Sequence, residues 1–195
     1  MKWYKYNIKE LSDTEYQKWY SLMSNEKQCR VDRFRFKDDK KRTVAGEMLA
    51  RKAISEWCSV NAKDVIFYYK EHGKPYAVSL DIEFNISHSG DIVVCAVGNS
   101  PVGIDVEEIR PIDLKAAKRI CSNNELVYLF GHIPTDQDFV YTTDKEILTR
   151  FFEIWTKKEA YTKWVGTGIE NIKIDSTKLS TQTVQFVNYI ISIKT

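Results

Sequence analysis

The chain has 195 residues, is 43% hydrophobic, and carries 29 basic against 27 acidic side chains for a formal charge of +2, which suits one compact unit or two small halves sharing a core. With 8 Gly, 4 Pro and no low-complexity tract it is neither disordered nor fibrous. Its apolar runs, such as Ile92 to Val97, are too short to span a bilayer, so no membrane segment is expected.

The N-terminus, Met1-Lys2-Trp3-Tyr4-Lys5-Tyr6, mixes charge and aromatics where a secretory signal would be apolar, and a cytoplasmic location is expected. The cysteines at 29, 58, 95 and 121 have no C-x-x-C spacing and are expected as reduced thiols. The small net charge conceals a division. Lys27 to Lys52 holds ten basic residues against four acidic, a balance of +6, and Asp81 to Asp113 holds seven acids and one Arg, a balance of −6. The first block reads either as a solvated helix face or as an anion site.

In chain order, Ser12-Asp13-Thr14-Glu15 has the form of a capping box and predicts a helix to about Met23, with Tyr16, Trp19 and Tyr20 on its buried side. A second helix is predicted from Asp39 to about Ser59. There Leu49, Ala53 and Trp57 form an apolar stripe that Gly46 and Arg42 extend, so that Arg42 would look inward. Strands follow at Val65 to Tyr69, Phe84 to Ser87, Ile92 to Val97 and Val102 to Val106, and their short spacings suggest one small, largely antiparallel sheet. After Asp113 the pattern is helical through Cys121, and Ser122-Asn123-Asn124-Glu125 opens another helix. Residues 131–144 read as a polar loop, mobile or facing a partner. A long helix runs from Lys145 to Trp164, closed by Gly166-Thr167-Gly168, and alternating segments at Ile169 to Ile174, Val184 to Val187 and Tyr189 to Ile193 predict a second small sheet.

Three features imply chemistry. Asp105 and Glu107, at i and i+2 on a strand, share a face and repel unless a cation or a shared proton intervenes; a divalent ion is one resolution, and solvated edge acids are the plainer alternative. On the long helix Leu148, Phe152 and Trp155 form a stripe that Glu159 and Lys163 continue. This sets a carboxylate and an ammonium on the face expected to be buried, although a simple i, i+4 pair is the plainer reading. Finally, Asn85-Ile86-Ser87-His88-Ser89-Gly90 can offer N–H groups, hydroxyls and an imidazole to an anion. Clustered Cys/His zinc ligands, Rossmann or P-loop signatures and the G-x-S-x-G elbow are all lacking, and the aromatics follow core spacing, which disfavours nucleic acid.

Together these segments resemble one family, the 4′-phosphopantetheinyl transferases of the surfactin-synthetase-activating type, over about residues 1–175. The likeness rests on Lys27 to Arg33, Arg42-Thr43 with Gly46, Gly73-Lys74-Pro75, Phe84 to Gly90, Val102-Gly103-Ile104-Asp105-Val106-Glu107 and Trp155 to Lys163, the last two in that order being the most specific. The resemblance implies an α+β fold of two halves related by a pseudo-twofold axis, 1–109 and 110–195, each with helices and a small antiparallel sheet, with coenzyme A between them. It implies Mg²⁺-dependent transfer of the phosphopantetheine arm of coenzyme A to a serine of an apo acyl or peptidyl carrier protein, releasing adenosine 3′,5′-bisphosphate. Mn²⁺ is an alternative ion.

Residue by residue, the resemblance makes Asp105, Glu107 and Glu159 the metal ligands and sets Lys163 on the pyrophosphate. Lys27, Arg42 and His88 would surround the 3′-phosphate with Arg30 as an accessory, Lys74 and Pro75 would line the adenine pocket, and Ser87 would bond the phosphates. The base that takes the serine proton is either Glu159, through a metal-bound water, or Glu125. Two departures from the family pattern are a stretch between Glu125 and Trp155 roughly ten residues longer than usual and a C-terminus that stops where relatives continue through another strand. A monomer is expected, serving nonribosomal-peptide or polyketide synthetases. The competing readings are another Mg²⁺-dependent phosphoryl-transfer enzyme and a non-catalytic module that binds coenzyme A or a carrier protein.

Overall fold

The computed structural model describes residues 1–69, 75–166 and 174–195. The chain divides into two compact units, Met1–Val102 and Gly103–Thr195. Both are built as a three-stranded antiparallel sheet carrying one long helix, as expected of an α+β fold.

The first unit contains β1 (Lys2–Asn7), α1 (Asp13–Tyr20), α2 (Asn25–Asp32), α3 (Lys37–Cys58), β2 (Phe67–Tyr69), β3 (Pro75–Ala77), β4 (Glu83–Ser89) and β5 (Ile92–Gly98). β5 is central, between β1 and β4, and every one of its residues is buried. Its run of Val and Ile suits a strand covered on both sides. α3 covers the sheet with Val44, Ala45, Met48, Leu49, Ala53 and Ile54, all buried in one core with Val93, Cys95 and Val97. Ser12 caps α1 by accepting from the Glu15 amide, as its capping pattern predicts. That helix ends at Tyr20, three residues before the expected Met23. Three elements were not anticipated: α2, capped by Ser24; β3, which pairs with β2; and β1, whose alternating charge and aromatics mark an edge strand.

The second unit contains β6 (Gly103–Glu108), β7 (Ile112–Asp113), α4 (Ala117–Ile120), α5 (Asn123–Phe130), β8 (Tyr141–Thr142), α6 (Lys145–Val165), β9 (Gln182–Phe186) and β10 (Tyr189–Lys194). β10 is central, between β6 and β9. The sequence reading grouped β6 with the strands before it, and the structure corrects this: β6 pairs antiparallel with β10, Asp105 opposite Ser192 and Glu107 opposite Ile190. The unit boundary therefore falls at 102/103 rather than 109/110, and Asp105, Glu107 and Glu159 all belong to the second unit rather than being split between halves. The loop expected at 131–144 contains a 3₁₀ turn at Asp136–Asp138, and β8 within it pairs with β7. The predicted strand over Ile169 to Ile174 and the glycine turn at 167–168 lie outside the described residues, save Ile174. Among the described residues no helix is long and apolar enough to cross a membrane.

Gly103 sets how closely α6 lies on β6. A Cβ there would fall well inside contact distance of the Ala160 carbonyl oxygen and 2.7 Å from the Trp164 amide nitrogen. Only a residue without a side chain lets the two backbones approach this far. One turn along, the Thr156 and Ser192 hydroxyls bond at 2.8 Å in the buried seam, and Ser192 is the cross-strand neighbour of Asp105. The close approach thus brings the C-terminal half of α6 onto the strand that carries the paired acids.

Candidate functional site

Two sites emerge, one in each unit. In the first, a cavity of about 250 Å³ is lined by residues that include Lys27, Arg30, Arg42, Pro75 and His88. α2 supplies Lys27 and Arg30, the first turns of α3 supply Arg42, and β4 supplies His88. Five of the expected binding residues, scattered over about sixty positions of sequence, thus meet in one place. Arg42 faces inward as its place on the helical stripe predicts, donating to the Gly90 carbonyl at 2.8 Å and to Asp39 Oδ1 at 2.5 Å. Burial, and then the neighbouring charge of Arg30, hold the Lys27 ammonium below its ordinary pKa.

Ser87 does not join this group. Ile86 and His88 both line the cavity, so strand alternation turns the buried Ser87 to the opposite face of β4. Lys74 lies outside the described residues. The sequence reading missed Glu47, Phe67 and Tyr69, which also line the cavity. The available signal was Glu47 and Arg51, an acid and a base at i and i+4 inside the apolar stripe of α3. They form an ion pair at 2.8 Å with both side chains nearly inaccessible, 6% and 5% exposed.

In the second unit, β6 carries Asp105 and Glu107 on one face, and α6 brings up Glu159 and Lys163. Lys163 Nζ lies 2.6 Å from Asp105 Oδ1 and donates to the Ile104 carbonyl at 3.3 Å. Lys163 on the inward side of its helix was an unusual expectation for a lysine, and a buried acid as its partner accounts for it. Asp105 Oδ2 and Glu159 Oε1 are buried oxygens that accept no hydrogen bond. Burial holds the Glu159 carboxyl above its usual range against the pull of Lys163, and the charges of Asp105 and Glu107 push it further in the same direction. Among the described residues no three acid, histidine or cysteine side chains stand as a ready-made metal cluster. The donor set nevertheless fits a hard divalent ion. Two buried carboxylate oxygens lack donors, and the mutual repulsion of three acids is the condition such an ion relieves.

Glu125, the other candidate base, stands apart from the acids beside Lys163. It is wholly buried, with Oε2 accepting from the Ser122 amide at 2.6 Å and lying 2.8 Å from Lys158 Nζ, and Oε1 accepting from the Ser176 amide at 2.7 Å. Both oxygens are engaged and none of the residue is exposed, which favours a structural place for it. Its place is in the capping box of α5 and in a buried ion pair that ties α5 to α6 and to the segment at Ser176.

Comparison with known proteins bears on both sites. A family model described as "4′-phosphopantetheinyl transferase, N-terminal" matches residues 10–100, and one described as "4′-phosphopantetheinyl transferase superfamily" matches 101–193, the two meeting beside the boundary of the compact units. The 4′-phosphopantetheinyl transferase Sfp of Bacillus subtilis (strain 168) is 37% identical over 88% of this chain and 72% of its own length. This chain belongs to the 4′-phosphopantetheinyl transferase family. Further relatives in the family are the 4′-phosphopantetheinyl transferase gsp of Aneurinibacillus migulanus, 39% identical over 84% of this chain, and psf-1 of Bacillus pumilus, 41% identical over 76%. The matches span 65% and 60% of the length of those two transferases.

Proposed function

We propose that the chain transfers the 4′-phosphopantetheine arm of coenzyme A to a serine of an apo acyl or peptidyl carrier protein. What carries the reading is the meeting of Lys27, Arg30, Arg42 and His88 in one cavity of the first unit, together with the buried acids beside Lys163 in the second. In this reading the first cavity takes the 3′-phosphate, Arg42 offering a planar fork suited to phosphate oxygens and His88 an imidazole at the cavity wall. Pro75, also on the wall, lines the adenine pocket. Asp105, Glu107 and Glu159 would hold Mg²⁺, or Mn²⁺ in its place, and the ion when bound supplies neutralisation of the pyrophosphate charge.

Lys163 stands beside Asp105, where an ammonium can stabilise the departing bisphosphate. The reaction breaks the bond between the β-phosphorus of coenzyme A and the bridging pyrophosphate oxygen, and forms one between that phosphorus and the serine oxygen. The serine gives up its proton as the bond forms. A serine hydroxyl is a weak nucleophile, and Glu159, a carboxylate raised above its ordinary pKa, is the acceptor the site provides, directly or across a water. The enzyme so read is a cytoplasmic monomer that meets its carrier transiently, and four unbridged thiols are in keeping with a reducing compartment.

The test mixes the chain with coenzyme A, Mg²⁺ and a panel of apo carrier proteins from fatty-acid, polyketide and nonribosomal-peptide systems, and weighs the carriers. The expected result is a mass gain of one phosphopantetheine on at least one carrier. Coenzyme A binding without transfer would favour a non-catalytic module, and coenzyme A cleavage without a carrier would favour a different phosphoryl-transfer enzyme.

A further inference from the structure

Behind the cations of the first cavity lies an arrangement the transfer reaction does not itself require. Phe67 and Tyr69, at i and i+2 on β2, share one face of the strand. Each ring carries a cation: the Arg51 guanidinium lies 5.1 Å from the Phe67 centroid and Lys27 Nζ lies 4.8 Å from the Tyr69 centroid. Glu47 stands between the two. Its Oε1 accepts from Arg51 Nη2 at 2.8 Å and Nε at 3.1 Å, and its Oε2 accepts from the Tyr69 hydroxyl at 3.3 Å. Arg51 also donates to the Leu22 carbonyl at 2.9 Å and to the Val65 carbonyl, fixing the chain ahead of α2 and ahead of β2.

The difficulty this solves is electrostatic. Glu47 is a buried carboxylate lining a cavity that should receive a phosphate, and left unscreened it would repel the ligand. Arg51 neutralises it from behind, and the Tyr69 hydroxyl covers the oxygen that Arg51 does not reach. The same Tyr69 ring lies beside the Lys27 ammonium, which makes no ion pair with a carboxylate among the described residues and feels the charge of Glu47 at a distance.

We propose that Tyr69 is a positioning residue for phosphate recognition, its ring holding the Lys27 ammonium in the cavity while its hydroxyl screens Glu47 from the ligand. The inference rests on the reading of this cavity as the 3′-phosphate site. It is tested by titration calorimetry of the full chain with coenzyme A and with dephospho-coenzyme A, which lacks the 3′-phosphate. The readout is the ratio of the two affinities, which a residue of merely structural importance would leave unchanged while both affinities fell. Tyr69→Leu, losing ring and hydroxyl, is expected to lower the ratio about tenfold. Tyr69→Phe, keeping the ring, is expected to lower it about threefold and decides the matter alone should the leucine variant not fold. A folded variant that keeps the wild-type ratio, or weakens both ligands alike, overturns the role of Tyr69. A wild-type chain that binds the two ligands equally overturns the assignment of the cavity, and the inference with it.

Discussion

The cavity of the first unit and the acid site of the second treat charge in opposite ways. In the first, Arg42 is paired with Asp39, Arg51 behind the wall is paired with Glu47, and Lys27 lies against the Tyr69 ring. In the second, Lys163 meets one oxygen of Asp105, while the other oxygen and Glu159 Oε1 are buried without a donor. A site whose charges are offset in advance binds its ligand without large rearrangement and sets affinity. A site in which three acids outnumber one lysine draws an incoming cation, and is suited to a reaction in which charge develops. On the proposed function, the difference would assign ligand binding to the first unit and the chemistry to the second.

That comparison can be broken most severely through the scaffold of the second unit. Glu125→Ala would take from Lys158, which is 0% exposed, the carboxylate 2.8 Å from its ammonium, and a loss of about 3–5 kcal/mol in denaturant unfolding is expected. Because Glu125 is placed outside the chemistry, whatever folded protein remains is expected to retain its transfer rate. A folded Glu125→Ala protein without activity would return Glu125 to the list of bases.

Gly103→Ala is next, at about 3 kcal/mol, since the added methyl meets the backbone of α6 rather than a side chain that can swing aside. The same substitution forces α6 off β6, and with it Glu159 and Lys163 away from Asp105. Thermal unfolding should show the lower transition. An unchanged melting temperature would contradict the close approach on which the acid site depends.

The smallest effect sharpens the contrast in charge. A carboxyl whose folded pKa is raised binds its proton more tightly folded than unfolded. Stability therefore falls as pH rises from the ordinary carboxylate range through the raised value, and the penalty is full above it. Without metal, Glu159→Gln should then raise the melting temperature by about 2 °C at pH 8, the gain vanishing as the pH is lowered toward 4. A gain that grows on acidification would mean that Glu159 is stabilised by Lys163 rather than strained by burial and its acidic neighbours.

Much of this was legible in the sequence where spacing alone decides geometry. The i, i+4, i+7 stripe from Leu148 through Trp155 set Glu159 and Lys163 inward, and the alternation of β6 set Asp105 and Glu107 on one face. Arg42 looks inward because it continues the stripe of Leu49, Ala53 and Gly46. Partnerships made over long separations were not legible. β6 pairs with β10 some eighty residues later, which no local pattern announces, and the sheet and unit boundary were accordingly misplaced. Glu125 carries a helix-opening signature that the structure bears out in full, yet its pairing with Lys158 arises only when α5 packs against α6. Tyr69 looked like an ordinary strand aromatic because Lys27 and Glu47, its partners, come from two different helices.

The division of labour is tested most directly by measuring transfer rate against coenzyme A concentration, at fixed Mg²⁺ and carrier, for Arg42→Ala and Asp105→Ala. Arg42→Ala is expected to raise KM for coenzyme A about tenfold and leave kcat within about twofold. Asp105→Ala is expected to lower kcat by about a thousandfold, with no recovery at saturating coenzyme A. The account is contradicted if Arg42→Ala loses its rate at saturation with KM unchanged, or if excess coenzyme A restores Asp105→Ala.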